Sequence, residues 1–224
     1  MLFDVGLTLI HPSGDIMAEE ISCVRPDFSH TTTQDLVAAL VLAAEARHLI
    51  LPAGMDGDQK VATAWGRYVG LSPEDATRVW SRMVARPDLY CELDPDALWV
   101  LAELHRYGIR VGAVSNSDGT LREELAHFGL ASYFDSVVDS TAIGREKPSQ
   151  EIFDAAFSDL GISPDSSCFV GDGPINDVWG AQRAGIPTAF LYDRFGVHSH
   201  LLGILRIREL RDLVHFIQNS PSRS

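Results

Sequence analysis

The sequence predicts an α/β protein, a parallel sheet core with an all-helical segment inserted after its first strand. Three observations carry this reading. From Asp94 onward, short apolar runs alternate with amphipathic stretches, and Gly108, Gly129, Gly161 and Gly185 each stand just past such a stretch. Strand and helix in alternation, with a glycine after each helix, are the signature of repeated β-α units and hence of a parallel sheet. Residues 15–92 show helical stripes and no convincing strand. The run Met1-Leu2-Phe3-Asp4-Val5 reads as a very short buried strand that ends in a carboxylate.

In chain order, Gly6 to Asp15 reads as loop, with Pro12 and Gly14 as breakers. Leu36, Val37, Leu40, Val41 and Ala44 fall on one helical stripe, and a second helix covers Gln59 to Val69. Ser72-Pro73-Glu74-Asp75 opens a third, with Ser72 as N-cap and Pro73 in the first turn. Asp94-Pro95-Asp96 then starts a helix through His105. Strands are expected over Ile109–Val114, Ser136–Val138, Cys168–Val170 and Thr188–Tyr192, with helices over Leu121–Phe128, Glu151–Leu160 and Asn176–Ala184. Ile204 to Ile217 adds a short strand and helix, and Asn219 to Ser224 is expected to fray. The expected division is a core of residues 1–14 and 93–224 and a helical insertion of residues 15–92. Only three residues precede Asp4, so either the first strand is short or the native chain starts earlier.

Composition narrows the function classes. With 46% hydrophobic and 22% charged residues, the 224-residue chain is globular rather than disordered. Eighteen Lys and Arg against 31 Asp and Glu give a net charge of −13, which repels nucleic-acid backbones and anionic membranes. The three cysteines, Cys23, Cys91 and Cys168, are far apart and form no disulfide framework or zinc motif, which fits a reducing cytoplasm. The N-terminus has no basic residue before its apolar run and Asp4 interrupts that run, so no signal peptide is expected. The longest apolar stretch, Leu36 to Ala44, is about half a membrane span. A cytoplasmic protein of open oligomeric state, with neither nucleic-acid nor membrane partners, is the expectation.

A parallel sheet binds its ligands at the carboxyl ends of its strands. Asp4 follows the first strand, Ser115-Asn116 a second and Gly171-Asp172 a third, so these residues are expected to converge on one crevice.

Four separated segments carry a family resemblance. They are Phe3-Asp4-Val5-Gly6-Leu7-Thr8-Leu9; Val114-Ser115-Asn116; Gly144-Arg145-Glu146-Lys147-Pro148 followed by Glu151-Ile152-Phe153; and Val170-Gly171-Asp172-Gly173-Pro174-Ile175-Asn176-Asp177. In this order, each at an expected strand end or helix start, they resemble the haloacid dehalogenase-like hydrolase superfamily, in its branch with a helical cap after the first strand. The resemblance implies a Rossmann-like core and Mg²⁺-dependent hydrolysis of a small phosphorylated metabolite. Asp4 would be the nucleophile that forms an aspartyl-phosphate. Mg²⁺ would be held by Asp4, the backbone carbonyl of Gly6 and Asp172, with Asp177 holding coordinated water. Lys147, the Ser115 hydroxyl and the Asn116 backbone N–H would hold the phosphoryl oxygens.

The first segment departs from the family pattern at two positions. Gly6 stands where phosphatases of this family carry a second Asp, their general acid, and Leu7 stands where they carry Gly. Positioned acid–base help is worth about 10²–10⁴ in rate. The departure leaves open a slow phosphatase favouring good leaving groups such as acyl or enol phosphates. It also leaves open a phosphonatase-like enzyme using Lys60 for a Schiff base, a dehalogenase, and a silent relative that only binds a phosphorylated ligand or partner. Elsewhere, His198-Ser199-His200 reads as a polar loop rather than a metal site, His11 and Asp15 read as loop residues, and Glu146 reads as a surface residue.

Overall fold

The computed structural model describes residues 1–28, 32–50 and 54–219; the end of the tail expected to fray, residues 220–224, lies outside them. The chain separates into two compact units, one of residues 1–9 with 93–224 and the other of residues 10–92.

The first unit is built on a six-stranded sheet. Its strands are β1 (Leu2–Phe3), β4 (Gly112–Ser115), β5 (Ser136–Asp139), β6 (Cys168–Gly171), β7 (Thr188–Tyr192) and β8 (Leu205–Ile207), in the order β5-β4-β1-β6-β7-β8. Every neighbouring pair is parallel. The order reverses direction at β1, so β1 is the topological switch point at whose carboxyl end an open α/β sheet offers a crevice. Flanking it are α5 (Ala97–Arg106), α6 (Leu121–His127), the short α7 (Ser140–Ile143), α8 (Gln150–Leu160), α9 (Gly180–Arg183) and α10 (Asp212–Asn219). Ile152, Phe153, Ala156 and Leu160 of α8 bury one stripe against Leu2, Val114 and Phe169, with the Phe153 and Phe169 rings edge to face at 5.4 Å. Burial of each of these side chains larger than alanine contributes roughly 1.5–3 kcal/mol. Gly161 ends α8 in the left-handed region at φ 57°, where a residue with a Cβ is disfavoured.

The second unit contains α1 (Gly14–Val24), α2 (Thr33–Ala44), α3 (Gly57–Val69) and α4 (Pro73–Val84). Helices α1 and α3 each pack against both α2 and α4. Met17, Ile21, Leu36, Val61, Trp65, Val79 and Met83 fill the space between them. Ser72 caps α4 by accepting the Asp75 N–H at 3.1 Å, with Pro73 in the first turn, as its sequence predicts. The buried Glu20 carboxylate accepts from Arg82 at 2.6 Å and from Arg86 at 2.9 Å, tying α1 to α4.

Two expectations fail locally. The stretch 15–92, expected to hold no strand, ends in β3 (Tyr90–Leu93), which pairs with β2 (Ile10–Pro12) in the stretch expected to be loop. Three residues are too few to show a period, and β3 has no clean alternation of buried and exposed positions, so neither left a trace in the pattern. The stretch read as loop through Asp15 therefore holds β2 and the start of α1, and residues 10–14 group with the helical unit rather than with the core. The helix expected over Asn176–Ala184 is a π-helical turn at Pro174–Trp179 followed by α9.

Candidate active site

Strand register places the site. Phe3 lies opposite Ala113 on one side and Val170 on the other, so the residues just beyond these positions emerge together at the carboxyl edge. These are Asp4 at the centre, Ser115 at the end of β4, and Asp172 after β6. The Asp4 N–H donates to the Val170 carbonyl at 2.8 Å, which extends the β1–β6 ladder by one residue. The fourth contributor, Asp177, hangs from the π-helical turn, a departure from α geometry that recurs at functional sites.

All of these side chains are buried. Lys147 Nζ donates to Asp4 Oδ1 at 2.5 Å and to Asp177 Oδ1 at 2.7 Å. The Ser115 hydroxyl donates to Asp4 Oδ1 at 3.4 Å, and the Thr8 hydroxyl to Asp4 Oδ2 at 3.3 Å. The Gly173 N–H donates to Asp177 Oδ2 at 2.8 Å. Oxygens of Asp4, Asp172 and Asp177 lie within 4.8 Å of one another.

The charges are strongly coupled. Burial pushes the Asp177 carboxyl up to about 6, and Asp4 adds to that push while Lys147 opposes it. Burial also acts to lower the Lys147 pKa, but the two carboxylates outweigh it and hold the ammonium above the usual lysine range. Glu124, half-buried on α6, is raised by burial and further by the charges of Asp118 and Asp4. Three buried carboxylates around one ammonium leave an excess of negative charge in a low-dielectric place. Hard oxygen donors with that excess fit Mg²⁺.

The backbone explains why the cluster closes up. A Cβ at Gly171 would come within 2.4 Å of the Asp177 carboxyl, so only glycine lets Asp177 fold back over the end of β6. Leu7 takes a left-handed conformation, φ 62°. That costs a non-glycine residue about 1–2 kcal/mol. The Leu7 side chain is buried, and burial returns a comparable 1.5–3 kcal/mol or so, which accounts for a leucine at this turn.

The structure thus brings together Asp4, Ser115, Lys147, Asp172 and Asp177, with Gly6 and Asn116 next to them in the chain. Sequence reasoning gave no role to Thr8, and its four-residue offset from Asp4 in a tight turn was the available signal. The role expected of Asn116 rests on its backbone N–H, whereas the structure shows its side-chain amide bonded to the Lys147 backbone. Lys60 donates to the Leu49 carbonyl at 2.7 Å. His11 is buried in β2, and Asp15 lies in the first turn of α1. His198 is buried with its N–H on Asp193. Among the described residues, the one cluster able to hold a metal is Asp4, Asp172 and Asp177.

A doubly wound parallel α/β protein with a metal-competent carboxylate cluster at its switch point is the class that fold and site define. The profile of the haloacid dehalogenase-like hydrolases matches residues 71–191, more than half of the chain. The chain belongs to that family. It is 36% identical over 126 residues to a glyceraldehyde 3-phosphate phosphatase of Methanopyrus kandleri, covering 54% of each protein. It is 38% identical over 100 residues to a phosphoserine phosphatase of Thermus thermophilus, covering 44% of this chain and 40% of that one. The matches therefore span about half the length of these curated relatives. Among solved structures, a HAD phosphatase of Thermococcus onnurineus superposes with a TM-score of 0.60 at 21% identity, covering 96% of both chains. The L-2-haloacid dehalogenase of Xanthobacter autotrophicus superposes with a TM-score of 0.60 at 16% identity, covering 98% of both. These likenesses establish the shared fold.

Proposed function

We propose that this chain is a Mg²⁺-dependent hydrolase of a small phosphorylated metabolite that works through an aspartyl-phosphate on Asp4, with the helical unit 10–92 serving as its cap domain. The observation that carries the reading is the buried cluster in which Lys147 contacts both Asp4 and Asp177 while Asp172 completes three carboxylates. The relatives that are phosphatases point the same way. The three free cysteines fit a cytoplasmic setting.

In this reading an Asp4 oxygen attacks phosphorus, a carboxylate–phosphorus bond forms, and the bond to the leaving oxygen breaks. Lys147, the Ser115 hydroxyl and the Asn116 backbone N–H hold the phosphoryl oxygens. Asp4, the Gly6 carbonyl and Asp172 would ligate Mg²⁺, with Asp177 on its water. The ion supplies charge neutralisation between two anions that otherwise repel. Water then cleaves the acyl-phosphate, releasing inorganic phosphate and restoring Asp4. Position 6 offers no proton to the leaving oxygen, so esters that depart readily as anions are the best substrates.

The test is a screen of phosphorylated metabolites with and without Mg²⁺. Phosphate release is expected from acyl and enol phosphates first, with loss of activity on chelation. No release from any of them, acetyl phosphate included, overturns the proposal. A second expected result concerns Gly171→Ala. Its methyl group displaces Asp177, and supporting groups of a metal site are typically worth 10–100-fold in affinity. Mg²⁺ should then raise the unfolding temperature of this variant only at concentrations higher by about that factor. An unchanged Mg²⁺ response would remove Asp177 from the site.

A further inference from the structure

Lys147 is carried by an unpromising segment. Residues 141–146, which run from α7 into the loop before it, are all exposed, and Lys147 is the first buried residue after them. Yet its Nζ sits within 2.5–2.7 Å of carboxylates from two other segments. Something must hold the backbone at residue 147 against the sheet. The Asn116 side chain does so at two points: its Oδ1 accepts the Lys147 N–H at 2.7 Å, and its Nδ2 donates to the Lys147 carbonyl at 3.1 Å. One amide thus satisfies both polar groups of the Lys147 backbone and fixes its rotation as well as its distance. The amide orientation is dictated by the partners, a donor and an acceptor. Next to it, Ser117 is bound to the start of α7: its N–H donates to the Ser140 hydroxyl, and its carbonyl accepts from the Ser140 and Thr141 hydroxyls.

We infer that Asn116 is a positioning residue whose side chain sets the Lys147 ammonium between Asp4 and the phosphoryl group. This rests on the proposed phosphatase reading and adds to it a role for the Asn116 side chain distinct from its backbone N–H. Misplacement of a reacting group by about 1 Å can cost on the order of 10²-fold in rate.

The chain has two lysines, Lys60 and Lys147, so protein labelled with ¹³C,¹⁵N-lysine gives two backbone amide signals and two sets of side-chain signals. In Asn116→Ala, the Lys147 amide is expected to lose at least tenfold in hydrogen-exchange protection. Its Cε and Nζ signals should shift while those of Lys60 stay in place, and kcat should fall about 10²-fold, more than KM changes. If that variant fails to fold, the near-isosteric Asn116→Asp replaces it. It keeps the acceptor for the Lys147 N–H but sets an oxygen against the Lys147 carbonyl, so the amide stays protected while the side-chain signals move and kcat falls. Unmoved Lys147 side-chain signals, or an unchanged kcat, overturn the inference. Should the parent chain show no phosphatase activity, the lysine signals still report on the clamp, and the proposed function fails separately from it.

Discussion

Asp4→Asn is expected to abolish turnover, by a factor on the order of 10⁴ or more, while leaving the fold intact. Loss of a covalent nucleophile in a hydrolase typically has an effect of at least this size. The substitution keeps the side-chain volume and leaves one acceptor oxygen for the Ser115 or the Thr8 hydroxyl, which lie 3.4 Å and 3.3 Å from the two carboxylate oxygens, while the amide NH2 can donate to the other hydroxyl. It replaces the attacking oxygen with a weakly nucleophilic amide. It also removes one of the charges that push Asp177 upward, so the buried cluster becomes less repulsive and the unfolding temperature should not drop. Two measurements decide the matter. Acid-quenched parent enzyme should carry an acid-stable, hydroxylamine-sensitive phosphoryl group on the peptide containing Asp4, and the variant should carry none. Beryllium fluoride should likewise stabilise the parent and not the variant. A variant that turns over at the parent rate would reject the covalent mechanism, whatever the rest of the cluster does.

How far the sequence alone leads can be judged element by element. The β-α units were legible because their helices end at glycines in the left-handed region, Gly108, Gly129, Gly161 and Gly185, which punctuate the chain wherever a strand is about to begin. Asp4, Ser115 and Asp172 were legible as candidates for the same reason: a polar residue directly after a buried strand lies at the carboxyl edge of the sheet. Lys147 was not legible from pattern at all, since it follows an exposed run and belongs to no strand; only the family resemblance singled it out. The strands β2 and β3 stayed hidden because they are short and lack alternation, so a two-stranded ribbon joins a stretch read as loop to the end of one read as helical. The π-helical turn that carries Asp177 stayed hidden because its six residues make little more than one turn, too few to show a period. The Asn116 clamp joins positions 31 residues apart through a side-chain amide, and a hydrogen bond of that reach has no signature in one sequence.

Gly6→Asp is expected to raise kcat by about 10²–10⁴ on phosphate esters of poor leaving groups, equivalent to roughly 3–5 kcal/mol of barrier. The reasoning is chemical. In the proposed function Asp4, Lys147, Ser115, Asp172 and Asp177, which lie in one buried cluster, would attack phosphorus and hold its oxygens, but the chain positions no carboxyl at residue 6 to hand a proton to the departing alkoxide. Position 6 is half-buried, two residues beyond the proposed nucleophile on the turn closed by the Leu9 N–H donating to the Val5 carbonyl at 2.8 Å. A series of aryl and alkyl phosphates of graded leaving-group pKa separates the possibilities. In the parent chain, log kcat should fall steeply as the leaving group becomes more basic. In Gly6→Asp the slope should flatten, with alkyl esters gaining most and acyl phosphates little. A uniform gain would mean that the new carboxylate acts through the metal site instead, and a uniform loss would mean that the glycine makes room for part of the substrate. Either result would argue against a phosphatase lacking only its acid, and the uniform loss would also direct the search for the natural substrate toward compounds larger at the reacting end than a simple ester.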